Sequence, residues 1–109
     1  MNLLVGQMHA AVAEICRRFR VERLYLFGSA TEGRFAPERS DLDFLVTLED
    51  QPPAEYADNY LALAAALEKL FGRRTDLVSE HSIRNPFFRQ SVFASRQLLY
   101  ERGNAKAVA

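Results

Sequence analysis

The run "DLDFLVTL" at residues 41–48 constrains the fold of this chain more than any other stretch. Its side chains alternate, so every second residue is apolar, which predicts a strand with one face buried in a core. Residues two apart on a strand project from the same face, about 6.6 Å apart, so Asp41 and Asp43 point to one place. Carboxylates beside a core are unfavourable unless something compensates them. These two are therefore loop aspartates near the core, or they hold a cation.

Apolar spacing, prolines and glycines divide the rest of the chain into helices and strands. Helical spacing predicts an amphipathic helix at the start, and short branched or aromatic runs predict further strands. Pro52 and Pro53 suit a helix start, and Gly72 suits a helix end. The predicted order is helix 8–19, strand 21–27, about one helical turn from Ser29, strand 41–48, helix 53–72, strand 73–79, a helix from Pro86 and a short edge strand 97–101. This order implies an α/β (α+β) fold, with a small mixed β-sheet flanked by helices.

Length and composition set further limits. In a chain of 109 residues we expect one domain at residues 1–102 and a disordered tail at 103–109. Fourteen basic residues balance fourteen acidic ones, which gives no general electrostatic reason to bind nucleic acid or a membrane. The single cysteine, Cys16, excludes an intramolecular disulfide and is expected to be buried and inert. No apolar run approaches a membrane span, and the first residues lack a secretory signal pattern, so we expect a cytoplasmic protein.

Two further segments could join the aspartates in one site. Gly28 lets the backbone approach a phosphate closely, and Ser29 offers a hydroxyl, a backbone N–H and the start of a short helix. Asp76 opens another predicted strand, where it could complete a metal site or accept a proton from an attacking hydroxyl. Paired carboxylates such as Asp41 and Asp43 repel each other, and a hard cation such as magnesium removes that conflict.

Each of these residues also has a plain structural interpretation. The two aspartates at 41 and 43 could be hydrated groups of a turn that leads into a strand. Gly28 could simply end a strand, and Asp76 could pair weakly with Arg73 or Arg74 at the surface. Three phenylalanines in the last predicted helix, Phe87, Phe88 and Phe93, are expected to complete the core. One or two of them exposed together would instead mark a surface for a partner.

Together, the motifs resemble those of the minimal nucleotidyltransferases of the polymerase beta superfamily. The segments that carry the resemblance are Phe27-Gly28-Ser29, "SDLDFLV" at 40–46 and "TDLV" at 75–78. The order of elements and the closing "NPFFRQSVFASRQLLYE" are also similar, so nearly the whole chain is covered. The resemblance implies a polymerase beta-like nucleotidyltransferase fold. It also implies catalytic and Mg2+-binding roles for Asp41, Asp43 and Asp76, and nucleotide-binding roles for Gly28, Ser29 and Arg39.

The resemblance also implies an activity and a partner. Minimal nucleotidyltransferases of this kind commonly act as antitoxins that transfer AMP from ATP to a HEPN ribonuclease toxin, which is thereby neutralised. We expect the same here, with no direct contact to nucleic acid or membrane, and with a homo-oligomer or a hetero-oligomer left open.

Two alternatives stay open at the level of sequence. One is a module that inhibits its partner by binding alone. Two departures from the family pattern support it. Glu32 stands where the family often has arginine, and the spacer from Ala30 to Ser40 has eleven residues where ten is usual. The other alternative is nucleotide transfer to a small molecule.

Overall fold

The computed structural model describes residues 8–31 and 41–103. Its elements are α1 (His9–Arg18), β1 (Val21–Phe27), a 3₁₀ turn (Gly28–Thr31), β2 (Leu42–Leu48), α2 (Pro53–Phe71), β3 (Thr75–Ser79), a second 3₁₀ turn (Glu80–Ser82), α3 (Pro86–Ser95) and β4 (Gln97–Glu101). The predicted order of elements is confirmed. Within the described ranges, no helix is long and apolar enough to cross a membrane.

The four strands form one mixed sheet in the order β3-β2-β1-β4. Strand β1 pairs antiparallel with both β2 and β4, whereas β2 pairs parallel with β3. A parallel pair needs a long connection, and the nineteen residues of α2 lie between β2 and β3. The predicted fold class, a small mixed sheet with helices packed on it, is confirmed.

The residues at the helix ends explain where α2 and α3 begin and end. Proline stands at the first position of both helices, where its missing N–H has no intrahelical partner to lose. Gly72 closes α2 in the left-handed conformation at φ +63°, which glycine adopts without strain. Asn85 caps α3, since its side-chain oxygen accepts hydrogen bonds from the backbone N–H groups of Phe87 at 2.9 Å and Phe88 at 3.1 Å.

Helices α1 and α2 cover one face of the sheet and enclose the larger core. Its buried members are Val12, Cys16, Val21, Leu24, Leu26, Leu42, Phe44, Val46, Leu48, Leu63, Leu67, Phe71 and Leu99. Cys16 is fully buried, and burial raises the pKa of its thiol to about 12, although the charge of Arg17 acts in the opposite direction. The expectation of a buried, inert cysteine is therefore confirmed.

Helix α3 covers the other face with a much smaller core, which is made of Phe27, Leu45, Ile83 and Val92, with Tyr25, Val78 and Phe93 packed against it. The prediction that three phenylalanines of this helix complete the core is wrong for two of them. Phe87 is 80% exposed and Phe88 is 44% exposed. A ten-residue helix presents only one face to a sheet, and in α3 that face is occupied by Val92 and Phe93.

Candidate functional site

The candidate site lies on the α3 side of the sheet, at the end where β1 stops and where β2 and β3 start. The register pairs Phe27 with Asp43 across β1 and β2, and it pairs Asp43 with Asp76 across β2 and β3. Asp41 precedes Asp43 by two residues and acts on it electrostatically. The fold thus brings together the three carboxylates that the sequence singled out, with Asp43 in the centre.

The central carboxylate is electrostatically uncompensated. The pKa of Asp43 is raised from 3.8 to about 6, first by burial, then by the charge of Asp76 and a hydrogen bond with its side chain, and last by the charge of Asp41. Each of these influences from the described residues opposes the charged form of Asp43. A positive charge placed among the three side chains would reverse this effect.

Gly28 forms the wall of the site opposite Asp76. Its φ is +79°, and a Cβ atom at this position would lie 2.5 Å from Oδ2 of Asp43. Glycine is therefore required for the backbone conformation and for the close approach of the turn to the carboxylate. The Gly28 N–H donates to Oγ of Ser95 at 3.3 Å, and Oγ1 of Thr31 donates to the Gly28 carbonyl at 2.7 Å. These two contacts hold the backbone of Gly28 in place on both sides.

Part of the predicted nucleotide site falls outside the described residues. Arg39 lies there, and so do Glu32 and the side chain of Ser29. The backbone of Ser29 belongs to the 3₁₀ turn that starts at Gly28. The turn itself is thus where the sequence predicted it, directly after β1 and beside Asp43.

The donor chemistry of the three carboxylates fits a hard divalent cation. Oxygen ligands suit Mg2+, which takes one or two carboxylates and completes its shell with water and substrate phosphates. In the part of the chain that the structure describes, no three His, Cys, Asp or Glu side chains are arranged as a ready-made cage for an ion. An ion held by Asp41 and Asp43 would therefore take its remaining ligands from a bound nucleotide or from water.

An open cavity of about 510 Å³ lies beside the Gly28 turn, a size common for ligand pockets. It is lined by Thr31, Ser91, Ala94, Ser95, Arg96 and Gln97. Most of these residues carry polar side chains. Because Ser95 also contacts Gly28, the cavity and the turn share a wall.

Sequence reasoning missed two residues that support this region. Ser95 holds the Gly28 peptide, but a serine near the end of a helix gives no signal in a sequence. Glu80 accepts hydrogen bonds from Thr47 at 3.0 Å, Arg23 at 3.3 Å and Arg96 at 3.1 Å. Burial raises its pKa, but the Thr47 and Arg23 hydrogen bonds and the two arginine charges outweigh burial and leave it lowered. This cluster fixes the junction between α3 and β4 to strands β1 and β2.

Comparisons with known proteins agree with the fold and show the family of this chain. A family model described as a nucleotidyltransferase domain matches residues 10–99. The protein adenylyltransferase MntA of Thermococcus cleftensis is 38% identical over 72 residues, which cover 66% of this chain and 69% of that protein. A solved structure assigned as a minimal nucleotidyltransferase is 36% identical, with a TM-score of 0.63, and the match covers 88% of this chain and 94% of that chain.

A more distant structural relative is a chain from a complex of an MNT antitoxin with a tri-AMPylated HEPN toxin of Shewanella oneidensis. It is 21% identical, with a TM-score of 0.56, and the match covers 89% of this chain and 72% of that chain. At this identity the likeness shows a shared fold.

Proposed function

Because the chain belongs to the nucleotidyltransferase family, we propose that it transfers AMP from ATP to a hydroxyl group of a partner protein. We further propose that this partner is a HEPN toxin, which the modification neutralises. A relative that is named a protein adenylyltransferase and a relative of the same fold seen with an AMPylated HEPN toxin support this choice. The observation that carries the proposal is the uncompensated carboxylate of Asp43 between Gly28 and Asp76.

In this proposal different residues of the site bind the triphosphate and the metal ion. The turn at Gly28 and Ser29 takes the triphosphate, with Arg39 as a further phosphate contact. Asp41 and Asp43, with Asp76 as a third candidate ligand, would hold Mg2+. The bound cation would neutralise the phosphates and stabilise charge on the attacking and leaving oxygens.

Asp76 is the candidate base for the transfer step. It is the most exposed of the three carboxylates, so an acceptor from another molecule can reach it. It accepts the proton of the acceptor hydroxyl, whose oxygen attacks the α-phosphorus of ATP. The bond from this phosphorus to the bridging oxygen of the β-phosphate breaks, pyrophosphate leaves, and AMP stays on the acceptor oxygen.

We also propose which residues form the active domain and in which compartment the reaction takes place. We assign the activity to residues 1–102, of which 10–99 match the family model. Because the reaction consumes ATP, we expect it to take place in the cytoplasm.

The direct test is an assay of AMP transfer with the purified chain, ATP and a HEPN protein as the candidate acceptor, followed by mass spectrometry of the HEPN protein. We expect transfer with Mg2+ and none with EDTA. Asp43→Ala should slow transfer by about 10³-fold or more, which corresponds to about 4 kcal/mol. Asp50→Ala, an exposed carboxylate beyond the opposite end of β2, is the matched control and should leave the rate unchanged.

The same assay separates the alternatives. Binding of the HEPN protein without any transfer would favour a module that acts by binding alone. Transfer to small hydroxyl compounds in the absence of a protein partner would favour a small-molecule enzyme. Full transfer by both Asp41→Ala and Asp43→Ala would reject the mechanism.

A further inference from the structure

Two adjacent aromatic rings are exposed on the first turn of α3. Phe87 is 80% exposed and Phe88 is 44% exposed. Among the described residues the remaining exposed large apolar side chain is Leu61, which stands by itself on α2 at 68% exposure. Single exposed apolar residues are normal on protein surfaces, whereas adjacent ones mark interaction sites more often. We call the two rings the Phe87–Phe88 patch.

The fold holds the backbone of the patch and the ring of Phe88 in place. Both backbone N–H groups are bound by the cap residue Asn85, which fixes the first turn of the helix. The ring of Phe88 packs edge-on against Phe27, with a centroid separation of 6.2 Å and an interplanar angle of 75°. A preorganised aromatic surface loses little conformational entropy when a partner covers it.

The patch adjoins the candidate site. Phe27, against which Phe88 packs, directly precedes Gly28 and pairs with Asp43 in the sheet. Phe27 therefore lies between the ring of Phe88 and Asp43. A protein that brings a hydroxyl group to these carboxylates must cover the surface around them, and the patch belongs to that surface.

The chemistry of the same helix fits a protein partner. Residues 84–96 include three arginines and no acidic residue, and Arg84 and Arg89 flank the exposed rings with exposed side chains of their own. Aromatic residues and arginine are enriched in the centres of protein interfaces. This composition fits an apolar groove whose rim carries carboxylates.

We propose that the Phe87–Phe88 patch is the docking surface for the protein that accepts the nucleotide. The acceptor inserts the two rings into an apolar groove, and this contact brings its hydroxyl group to Asp43 and Asp76. The inference rests on the proposed function, because it takes the acceptor to be a protein.

The test measures binding of the HEPN protein and binding of nucleotide separately. Transfer of AMP is measured in the assay described under the proposed function. Calorimetry without ATP gives the Kd for the HEPN protein, and titration with a non-hydrolysable ATP analogue and Mg2+ gives the affinity for nucleotide. Phe87→Ala should weaken binding of the HEPN protein about tenfold or more and leave the affinity for the analogue unchanged. Phe87 is the better target because Phe88 also packs against Phe27. Leu61→Ala removes another exposed apolar side chain, 68% exposed, from a different helix and should change neither value.

Asp43→Ala keeps the two proposals apart, because it should abolish transfer and retain binding of the HEPN protein. If Phe87→Ala binds that protein as tightly as wild type, the docking proposal is wrong. It is also wrong if Phe87→Ala loses affinity for the ATP analogue, or if it merely converts a self-associated chain into a monomer. If wild type binds the HEPN protein through Phe87 but transfers no AMP, the proposed function fails and the docking surface stands. Failure of wild type to bind and to modify rejects both.

Discussion

Two carboxylates on the same face of the sheet have opposite surroundings. Glu80 receives hydrogen bonds from Thr47 and from two arginines, and these partners lower its pKa in spite of burial. Asp43, near the opposite end of β2, faces Asp76 and Asp41, and its pKa is raised to about 6. Asp43 lies on β2 and Glu80 is bound to Thr47 of the same strand, so the difference between them lies in their other neighbours.

From this difference we infer that Glu80 serves the fold and that Asp43 serves a ligand. Glu80 finds its counter-charges within the chain, and its contacts join β1, β2 and the residue between α3 and β4. Asp43 lacks such a counter-charge among the described residues that act on it, which is expected of a group that meets its cation only when substrate binds. We therefore expect changes at Glu80 to reduce stability and changes at Asp43 to reduce activity.

The largest expected effect on stability comes from Glu80→Gln. The neutral amide leaves the charges of Arg23 and Arg96 uncompensated, so the free energy of unfolding should fall by about 1–3 kcal/mol. Urea denaturation measures this change. Asp43→Asn is the matched substitution at the other carboxylate and should leave stability equal or slightly higher. Equal losses in both variants would contradict the distinction between the two groups.

A smaller effect is expected from Gly28→Ala, for which Gly72→Ala is the control. Both glycines have positive φ, so each substitution should lower stability by about 1 kcal/mol through the backbone alone. Only at position 28 would the new Cβ meet a carboxylate, since nothing lies within 4 Å of the corresponding atom at Gly72. Gly28→Ala should therefore displace Asp43 and slow transfer, whereas Gly72→Ala should keep the wild-type rate per folded molecule. Comparable rates in both variants would show that the close approach is unimportant.

The smallest expected effect concerns the pH dependence of stability, measured in the absence of divalent cations. It is small because Asp43 is only half-buried, so water screens part of its interactions. Its pKa in the folded chain, about 6, exceeds the ordinary value of 3.8, so the folded state binds the proton more tightly. The contribution of Asp43 to stability should thus decrease as pH rises from about 4 to 6. The lowered pKa of Glu80 gives the opposite sign, with stability lost as pH falls below its ordinary value of 4.5.

Unfolding curves measured with EDTA across this pH range check the prediction. Asp43→Asn should remove the loss of stability that occurs as pH rises from about 4 to 6. Glu80→Gln should remove the loss that occurs as pH falls below 4.5. A wild-type slope in Asp43→Asn between pH 4 and 6 would show that another group is responsible.

Local signals in the sequence are sufficient to predict the helices and strands of the fold. Alternation in 41–48 identified the central strand, and proline and glycine marked the ends of α2. The convergence of Asp43 with Asp76 depends on the parallel register of β2 and β3, which spacing along the chain does not determine. The family resemblance supplied that link before the structure did.

The remaining features depend on tertiary contacts. Glu80 looks like an ordinary loop acid until Arg23 and Arg96 are brought to it from distant parts of the chain. Ser95 acquires its role only when α3 packs beside the Gly28 turn. The exposure of Phe87 was mispredicted because apolar character alone does not reveal which face of a short helix meets the sheet.

The contact between Gly28 and Ser95 also bears on synthesis of the protein. The turn beside Asp43 is held by a residue near the end of α3, and β1 lies between β2 and β4 in the sheet. While the chain emerges from the ribosome, the first two strands can pair, but β1 keeps one open edge and the turn lacks its support. The site is therefore completed only after α3 and β4 have emerged, so the nascent chain gains its active geometry at a late stage of translation.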